Sequence, residues 1–200
     1  MDNLKRNIEF LYEIGSLRYV PRSWRQFLNK DFANVSEHIF RVMWISSIIA
    51  IEEKADLNKV IKMALVHDIS ESRVPEVHYL SRMYSKQDDE SAMTDTFSNT
   101  TLESEFIALA KEYEERQTLE SKIVKDADNL DVDLELREQC ANGNAIKLID
   151  DFAPMRNCVY DKLTTQTAKE MWREIVISNP HDWHLNGKNR GNQGDWKAKT

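Results

Sequence analysis

Residues that break regular structure are scarce along most of this chain. It has only five glycines and four prolines, and three of the glycines (Gly187, Gly191 and Gly194) fall within the last fourteen residues. Alternating polar and apolar segments, which are typical of half-buried strands, do not occur over any useful length. The sequence therefore predicts an all-α protein, with one helical bundle over residues 1–178 and a polar, flexible tail over 179–200.

The composition is that of a globular protein with an acidic surface. Of the 200 residues, 41% are hydrophobic and 30% are charged, which is enough apolar material for a core without disulfides. The formal net charge is -7 at pH 7. This balance argues against broad electrostatic attraction to a nucleic acid polymer or to a membrane of anionic lipid.

Cysteine usage and the N-terminal residues favour a cytoplasmic protein. Cys140 and Cys158 are the only cysteines, too few for a disulfide framework and without zinc-finger spacing. The first ten residues, MDNLKRNIEF, lack the apolar segment of a signal peptide. The most apolar run, VMWISSIIAI at 42–51, is shorter than the ~20 residues of a membrane helix. We therefore interpret it as a core helix.

Helix boundaries follow from apolar spacing and from capping residues. Asn34, with Glu37 three residues later, resembles a capping box, and Asp56 is positioned to cap the next helix. Pro75 prevents that helix from continuing, because the residue before a proline is disfavoured in helical geometry. The polar stretch 85–98 is predicted to be a loop. The pattern predicts helices over approximately 2–15, 34–54, 56–73, 77–85, 99–116, 118–141 and 164–177.

The segment ALVHDISE at 64–71 places His67, Asp68 and Glu71 at the end of an apolar run. On a continuous helix these side chains share one flank, because residues three and four apart are neighbours. Imidazole nitrogen and carboxylate oxygen suit divalent Mn, Co, Fe or Zn, and a carboxylate one turn away can activate a water molecule. The pattern indicates a metal site, although a core histidine before an ordinary polar helix end has the same appearance.

Further metal ligands have to come from other parts of the chain. His38 lies early on an apolar helix, and the segment IVKDADNLDVD at 123–133 offers four aspartates. Helical phase does not choose among these aspartates, because apolar residues flank several of them. The four candidates are Asp126, Asp128, Asp131 and Asp133.

Three motifs in order, NVSEH (34–38), HDISE (67–71) and VKDAD (124–128), resemble those of the HD-domain metal-dependent phosphohydrolases. The similarity is greatest to the branch that contains the 5′-deoxynucleotidases. It implies an all-helical fold that holds one divalent metal ion per chain, with Mn, Co, Fe, Zn and Mg all left open. The implied ligands are His38, His67, Asp68 and Asp128, with Asp126 as the second choice for the last of them.

The same resemblance implies roles for the residues around the metal. Glu71 matches the family glutamate that contacts the catalytic water, and Glu76 falls where this branch usually has a general acid or base aspartate. In VPRSW, Arg22 and Trp24 resemble an Arg-Trp substrate element with one inserted residue. Arg22 is expected to bind phosphate and Trp24 to pack on the nucleoside. Arg82 is a further candidate phosphate ligand.

These implied roles describe a phosphomonoesterase that acts on a small nucleotide. We expect hydrolysis of deoxynucleoside 5′-monophosphates to deoxynucleoside and phosphate. Two alternatives remain: a deoxynucleoside triphosphate triphosphohydrolase that uses the same site, and a non-catalytic nucleotide-binding HD protein. The first and last helices carry apolar residues beyond the needs of one core, so we also expect a homodimer.

Overall fold

Helices account for the regular structure of the described part of the chain. The computed structural model describes residues 3–26, 32–143, 154 and 156–185, with the backbone alone at Tyr79. Within these ranges, β-type pairing is limited to one isolated bridge between Pro21 and Asn34. The predicted all-α class is confirmed.

Ten helical segments follow one another along the described residues. They are α1 (Asn3–Gly15), α2 (Val35–Glu52), α3 (Leu57–Val66), α4 (Tyr79–Arg82), α5 (Asp89–Phe97), α6 (Glu103–Glu115), α7 (Leu119–Ala141), α8 (156–162), α9 (Gln166–Ile177) and α10 (Asp182–Leu185). Single 3-10 turns lie at Ser16–Tyr19, Ser23–Gln26 and Ile69–Ser72.

The core forms around α7, which packs against α2, α3, α6 and α9. Fully buried apolar side chains from α2, α3 and α7 meet there, among them Ile49, Met63, Ile123 and Leu130. Burying one such side chain stabilises a fold by roughly 1.5–3 kcal/mol. This packing brings the N-terminal half of α2, the end of α3 and the middle of α7 to one place, where the site described below is found.

The predicted starts of α2 and α3 are confirmed. The Asn34 side chain accepts a hydrogen bond from the backbone N–H of Glu37, and the Glu37 carboxylate accepts one from the backbone N–H of Asn34. Asp56 accepts from the backbone N–H of Lys59 at the start of α3. These side chains satisfy N–H groups that have no partner inside the helix.

The prediction of one continuous helix over 56–73 is wrong. The α-helix ends at Val66, and the backbone at Asp68 (φ -118°, ψ 18°) leaves helical geometry. A tighter 3-10 turn follows, in which the N–H of Glu71 donates to the carbonyl of Asp68 over 3.1 Å. Glu71 therefore reaches the neighbourhood of His67 through this turn and not from a second α-helical turn.

The predicted loop at 85–98 is also wrong, because α5 occupies most of it. Asp88 caps this helix by accepting from the backbone N–H of Ser91. Its buried face is narrow, with Ala92, Thr96 and Phe97 turned inward. A helix with so few apolar residues gives a weak periodic signal, and tertiary packing stabilises it.

The C-terminal residues are described only to Leu185. The predicted helix stop in ANGN is confirmed, since α7 ends at Ala141 and Gly143 adopts φ 81°. Within the predicted tail, Asp182–Leu185 forms the exposed α10, and residues 186–200 lie outside the described residues. Among the described helices, none combines the length and apolarity needed to span a membrane.

Candidate metal centre

Two buried histidines face each other at the meeting point of α2 and α3. The Nε2 atoms of His38 and His67 are 3.2 Å apart. Nδ1 of His67 lies 2.7 Å from the carbonyl of Ala64, so it carries the hydrogen and Nε2 carries a lone pair. Nδ1 of His38 lies 2.6 Å from Oδ2 of Asp131, so His38 presents an unprotonated Nε2 when the ring is neutral, as it must be to bind a metal. Two potential ligand nitrogens therefore converge.

Two carboxylates complete this cluster. Oδ2 of Asp68 lies 3.3 Å from Nε2 of His38 and 3.4 Å from Nε2 of His67. Oδ1 of Asp128, from α7, lies 3.3 Å from Nε2 of His38. One ligand atom from each of His38, His67 and Asp128 lies within 4.8 Å of the other two. This mixed nitrogen and oxygen set suits a divalent cation of intermediate softness.

The protonation equilibria of the cluster show that positive charge is favoured at its centre. Burial and nearby Arg22 oppose protonation of His38, but hydrogen bonds to Asp128, Asp131 and Asp68 raise its pKa well above the ordinary value. Burial lowers the pKa of His67, so this imidazole stays neutral, as a metal ligand must. A divalent cation supplies the favoured charge more fully than one proton on His38, and the donor set fits such an ion.

The two carboxylates of the cluster are held ionised. Burial opposes ionisation of Asp68, but its interactions with His67 and His38 and the positive charge of Arg22 outweigh burial and lower the pKa of that carboxyl group. Burial likewise opposes ionisation of Asp128, and Lys125 makes the largest contribution to lowering its pKa. Nζ of Lys125 is 2.7 Å from Oδ2 of Asp128. Both carboxylates are therefore available as anionic oxygen ligands.

Asp131 fixes the His38 ring from behind. Its Oδ1 accepts from Nε of Arg41 over 2.5 Å, while its Oδ2 accepts from His38. Arg41 also binds Glu135 and Glu138 on α7. The sequence did not distinguish Asp131 from the other aspartates. The feature that could have identified it is its position three residues after Asp128, which puts both side chains on the face of α7 that meets α2.

The other two aspartates of this segment serve different partners. Asp126 is buried and accepts from the backbone N–H groups of Thr164 and Thr165, at 2.9 and 2.8 Å, where α9 begins. Asp133 forms a two-bond ion pair with Arg156, at 2.6 and 2.7 Å. The hydrogen bonds described for Asp126 are all made with residues at the start of α9. The aspartate that lies next to the two histidines is Asp128.

Glu71 is a buried carboxyl group beside this cluster. Its Oε2 atom is buried and has no hydrogen-bond partner. Burial, followed by repulsion from Asp68, raises the pKa of Glu71 to about 9. A carboxyl group with an elevated pKa and an unused oxygen in a cavity wall is suited to exchanging protons with a bound molecule.

Arg22 and Glu76 tie the segment before α2 to the cluster. Nη1 of Arg22 lies 3.0 Å from Oδ2 of Asp68, and its Nε lies 3.5 Å from Oε2 of Glu76. Glu76 also accepts from the backbone N–H and the hydroxyl of Ser23, at 2.8 and 2.9 Å. The Arg22 guanidinium is thereby buried among carboxylates, and Nη2 approaches Asp128 at 4.0 Å. Both predicted residues are at the site, but their polar atoms are already engaged.

A cavity of about 980 Å³ opens onto the cluster. Its wall includes Trp24, which is buried against Val132 and Leu136, and Arg82, whose Nε donates to the carbonyl of Val77 over 2.9 Å. Eight of the nine predicted site residues line the cavity, while His38 lies behind them. The eight are Arg22, Trp24, His67, Asp68, Glu71, Glu76, Arg82 and Asp128.

Residues of the cavity wall that the sequence did not predict include Tyr113, Arg116 and Lys125. Lys125 belongs to the VKDAD segment, and its spacing of three from Asp128 on one helix was a usable signal. Tyr113 is buried with its ring edge-on to His67, at 5.6 Å between centroids. Nothing in the local pattern around Tyr113 distinguishes it from an ordinary core aromatic residue.

Comparisons with known proteins show the family of this chain. A family model described as HD domain matches residues 14–177. A 5′-deoxynucleotidase HDDC2 from Danio rerio is 29% identical over 145 residues, 69% of this chain and 70% of that protein. The protein of the same name from Homo sapiens is 24% identical over 137 residues, 66% of this chain and 67% of that protein.

A solved structure shares the fold. It is described as a predicted metal-dependent phosphohydrolase from Magnetospirillum magnetotacticum and superposes with a TM-score of 0.66 at 19% identity. The superposition covers 87% of this chain and 91% of that one. At this level of identity the similarity concerns the helical architecture alone.

Proposed function

Because the chain belongs to the HD-domain family of metal-dependent phosphohydrolases, we propose that it hydrolyses deoxynucleoside 5′-monophosphates to deoxynucleoside and orthophosphate. The observation that carries this proposal is the convergence of His38, His67 and Asp128 beside a cavity whose wall includes His67, Asp128 and Glu71. The curated relatives named 5′-deoxynucleotidase, at 24% and 29% identity, support the choice of substrate.

In this proposal one divalent ion is held by four side chains: His38, His67, Asp68 and Asp128. When bound, the ion supplies Lewis-acid chemistry, which neutralises phosphate charge and lowers the pKa of water. The chain contributes orientation, because Asp131 and the carbonyl of Ala64 fix the two imidazole rings. Such outer hydrogen bonds also make the ring nitrogens better ligands.

Glu71 is proposed to orient and deprotonate the attacking water. Its unpartnered Oε2 atom supplies the acceptor. Its pKa of about 9 applies to the protein without added cation, and a nearby positive charge shifts a carboxyl group toward its ionised form. General acid–base assistance of this kind is typically worth ~10²–10⁴ in rate.

The remaining predicted residues are proposed to hold the substrate and assist the leaving group. Glu76 would stabilise or protonate the leaving 5′-oxygen, and its bonds to Ser23 also anchor the segment that carries Arg22 and Trp24. Arg22 and Arg82 would neutralise charge on the phosphoryl oxygens, and Trp24 would pack on the nucleoside. Because Arg22 is already paired with Asp68, Glu76 and Asp128, only part of its positive charge is available to the phosphate.

Product analysis tests the proposal against its alternatives. Purified protein is incubated with dAMP, dTMP and the corresponding triphosphates in Mn²⁺, Co²⁺ or Mg²⁺, with Glu71→Gln as the matched control. Orthophosphate from the monophosphates, lost in the control, is the expected result. Triphosphate released from a deoxynucleoside triphosphate would support the triphosphohydrolase instead. Bound metal without turnover of any nucleotide would support a non-catalytic nucleotide-binding protein.

We also propose that the chain forms a homodimer. On α1, Leu4 and Leu11 are 67% and 57% exposed, and Ile177 at the end of α9 is 74% exposed. The apolar run of α2 buries one face in the core, yet Phe40 and Trp44 on its other face are about 60% exposed. The Phe40 and Trp44 rings contact each other, and contiguous exposed apolar groups are typical of protein interfaces. Light scattering that gives the mass of one chain would contradict the dimer.

A reducing compartment such as the cytoplasm is proposed from the cysteines. Cys140 and Cys158 are both free thiols, and Cys158 is exposed. Free thiols persist where cellular reductants keep them reduced. Fractionation of the native host cells checks this assignment.

A further inference from the structure

Arg116 has an unusual backbone conformation at the end of α6. Its φ of 55° and ψ of 26° lie in the left-handed region, which favours glycine and is costly for a residue with a long side chain. Strained backbone at the wall of a ligand cavity is a reason to look for a function of the side chain. Arg116 lies in the wall of the cavity described above.

The side chain of Arg116 lies over the Tyr113 ring and has one donor without a hydrogen-bond partner. Its Cζ lies 3.3 Å from the centre of the Tyr113 ring, and that ring stands edge-on to His67. Nη1 of Arg116 is buried and has no hydrogen-bond partner, while Nη2 is only loosely paired with Glu114 at 3.9 Å. A buried donor without a partner destabilises the protein, so this arrangement needs an explanation beyond folding.

Three other cations of the cavity wall, Arg22, Lys125 and Arg156, are paired with carboxylates. Arg22 contacts Asp68, Glu76 and Asp128. Lys125 lies 2.7 Å from Asp128, and Arg156 binds Asp133 through two nitrogens. Compared with these three, Arg116 can bind an incoming anion without giving up a carboxylate partner.

We propose that Arg116 is a substrate-binding residue that donates from Nη1 to a phosphate oxygen of the nucleotide. The planar guanidinium group matches phosphate geometry, and the cation–π contact with Tyr113 holds it at the cavity wall before the substrate arrives. That the anion is a nucleotide phosphate rests on the proposed function, whereas the anion site itself rests on the geometry of Arg116.

Isothermal titration of the full chain with inorganic phosphate in Mn²⁺ tests the site without requiring turnover. Glycine accepts the backbone angles of position 116 without strain, so Arg116→Gly removes the side chain and leaves the fold intact. We expect its Kd for phosphate to rise by about 10- to 100-fold, as for loss of one charge-assisted hydrogen bond. The melting temperature should be no lower than that of the wild type. Arg116→Lys should give an intermediate Kd.

A matched control removes one positive charge far from the cavity. Lys5→Gln on α1, whose side chain is 76% exposed, should leave the Kd within twofold. An Arg116→Gly protein that binds phosphate as tightly as the wild type would overturn the proposal. If its melting temperature were also lower, the role of Arg116 would be structural. With dAMP, the same variant should raise KM and change kcat little. Wild-type protein that binds phosphate through Arg116 but hydrolyses no nucleotide would instead refute the proposed function.

Discussion

Nδ1 of His38 donates to Oδ2 of Asp131 over 2.6 Å, and both side chains are buried. Arg41 holds the opposite oxygen of the same carboxylate at 2.5 Å. This chain of bonds sets the tautomer of His38 and directs its Nε2 atom toward His67. The orientation of the candidate metal centre thus depends on a residue that does not itself reach the centre.

Replacing Asp131 by Asn should weaken metal binding without removing a ligand. The variant keeps the shape of the side chain but loses the charge that favours the Nδ1–H tautomer of His38. We expect the Kd for Mn²⁺ to rise about 10- to 100-fold in isothermal titration. Asp133→Asn on the same helix, which breaks a pair with Arg156, is the control and should bind as the wild type does. Equal affinities for the two variants would refute this role of Asp131.

Glu71→Gln should separate catalysis from metal content. The variant retains a polar side chain of the same size and loses the proton acceptor, so kcat on dAMP should fall by ~10²–10⁴. The metal-to-protein ratio, measured by elemental analysis, should stay at the wild-type value because Glu71 is not assigned as a ligand. Full turnover in the variant would show that Glu71 does not act on the water.

The same carboxyl group predicts how the stability of the metal-free protein depends on pH. Its pKa is about 9 in the folded protein and near 4.5 when unfolded, so the folded state binds the extra proton between these values. The stability contributed by protonated Glu71 is fully present below pH 4.5 and is lost as pH rises through 9. In EDTA, the melting temperature of wild type relative to Glu71→Gln should fall steadily from pH 5 to pH 9. Parallel curves would contradict the raised pKa.

Asp126 should matter for stability and not for the metal. Asp126→Ala leaves the N–H groups of Thr164 and Thr165 without their acceptor at the start of α9. The free energy of unfolding in urea should decrease by about 1–3 kcal/mol. Metal affinity should be retained. A variant as stable as the wild type would show that these hydrogen bonds contribute nothing to stability.

Local patterns predicted the parts of the fold that depend on local interactions. The capping box of Asn34 and Glu37 and the cap at Asp56 are bonds between residues three apart, so the sequence reveals them directly. The end of α3 at Val66 and the existence of α5 depend on packing between distant segments. Such packing overrides helical periodicity, and both predictions failed for this reason.

In the candidate site, too, local patterns could not predict the features that depend on contacts between distant segments. All four aspartates of the 126–133 segment lie on α7, and each has a partner outside that helix. Asp126 binds Thr164 and Thr165, Asp133 binds Arg156, and Asp128 and Asp131 both contact His38. Helical phase therefore could not select Asp128, and the family resemblance made that choice. The cavity position and backbone strain of Arg116 carry no sequence signature, because a left-handed arginine looks like any other surface arginine.

The number of divalent ions bound per chain tests the central claim most directly. Isothermal titration with Mn²⁺ should give one ion per chain for the wild type and for Asp126→Ala. Asp128→Ala, two residues away on the same helix, should weaken binding by more than ~100-fold. A wild-type protein that binds no ion, or an Asp128→Ala protein that binds as tightly as Asp126→Ala, would contradict the metal centre proposed here.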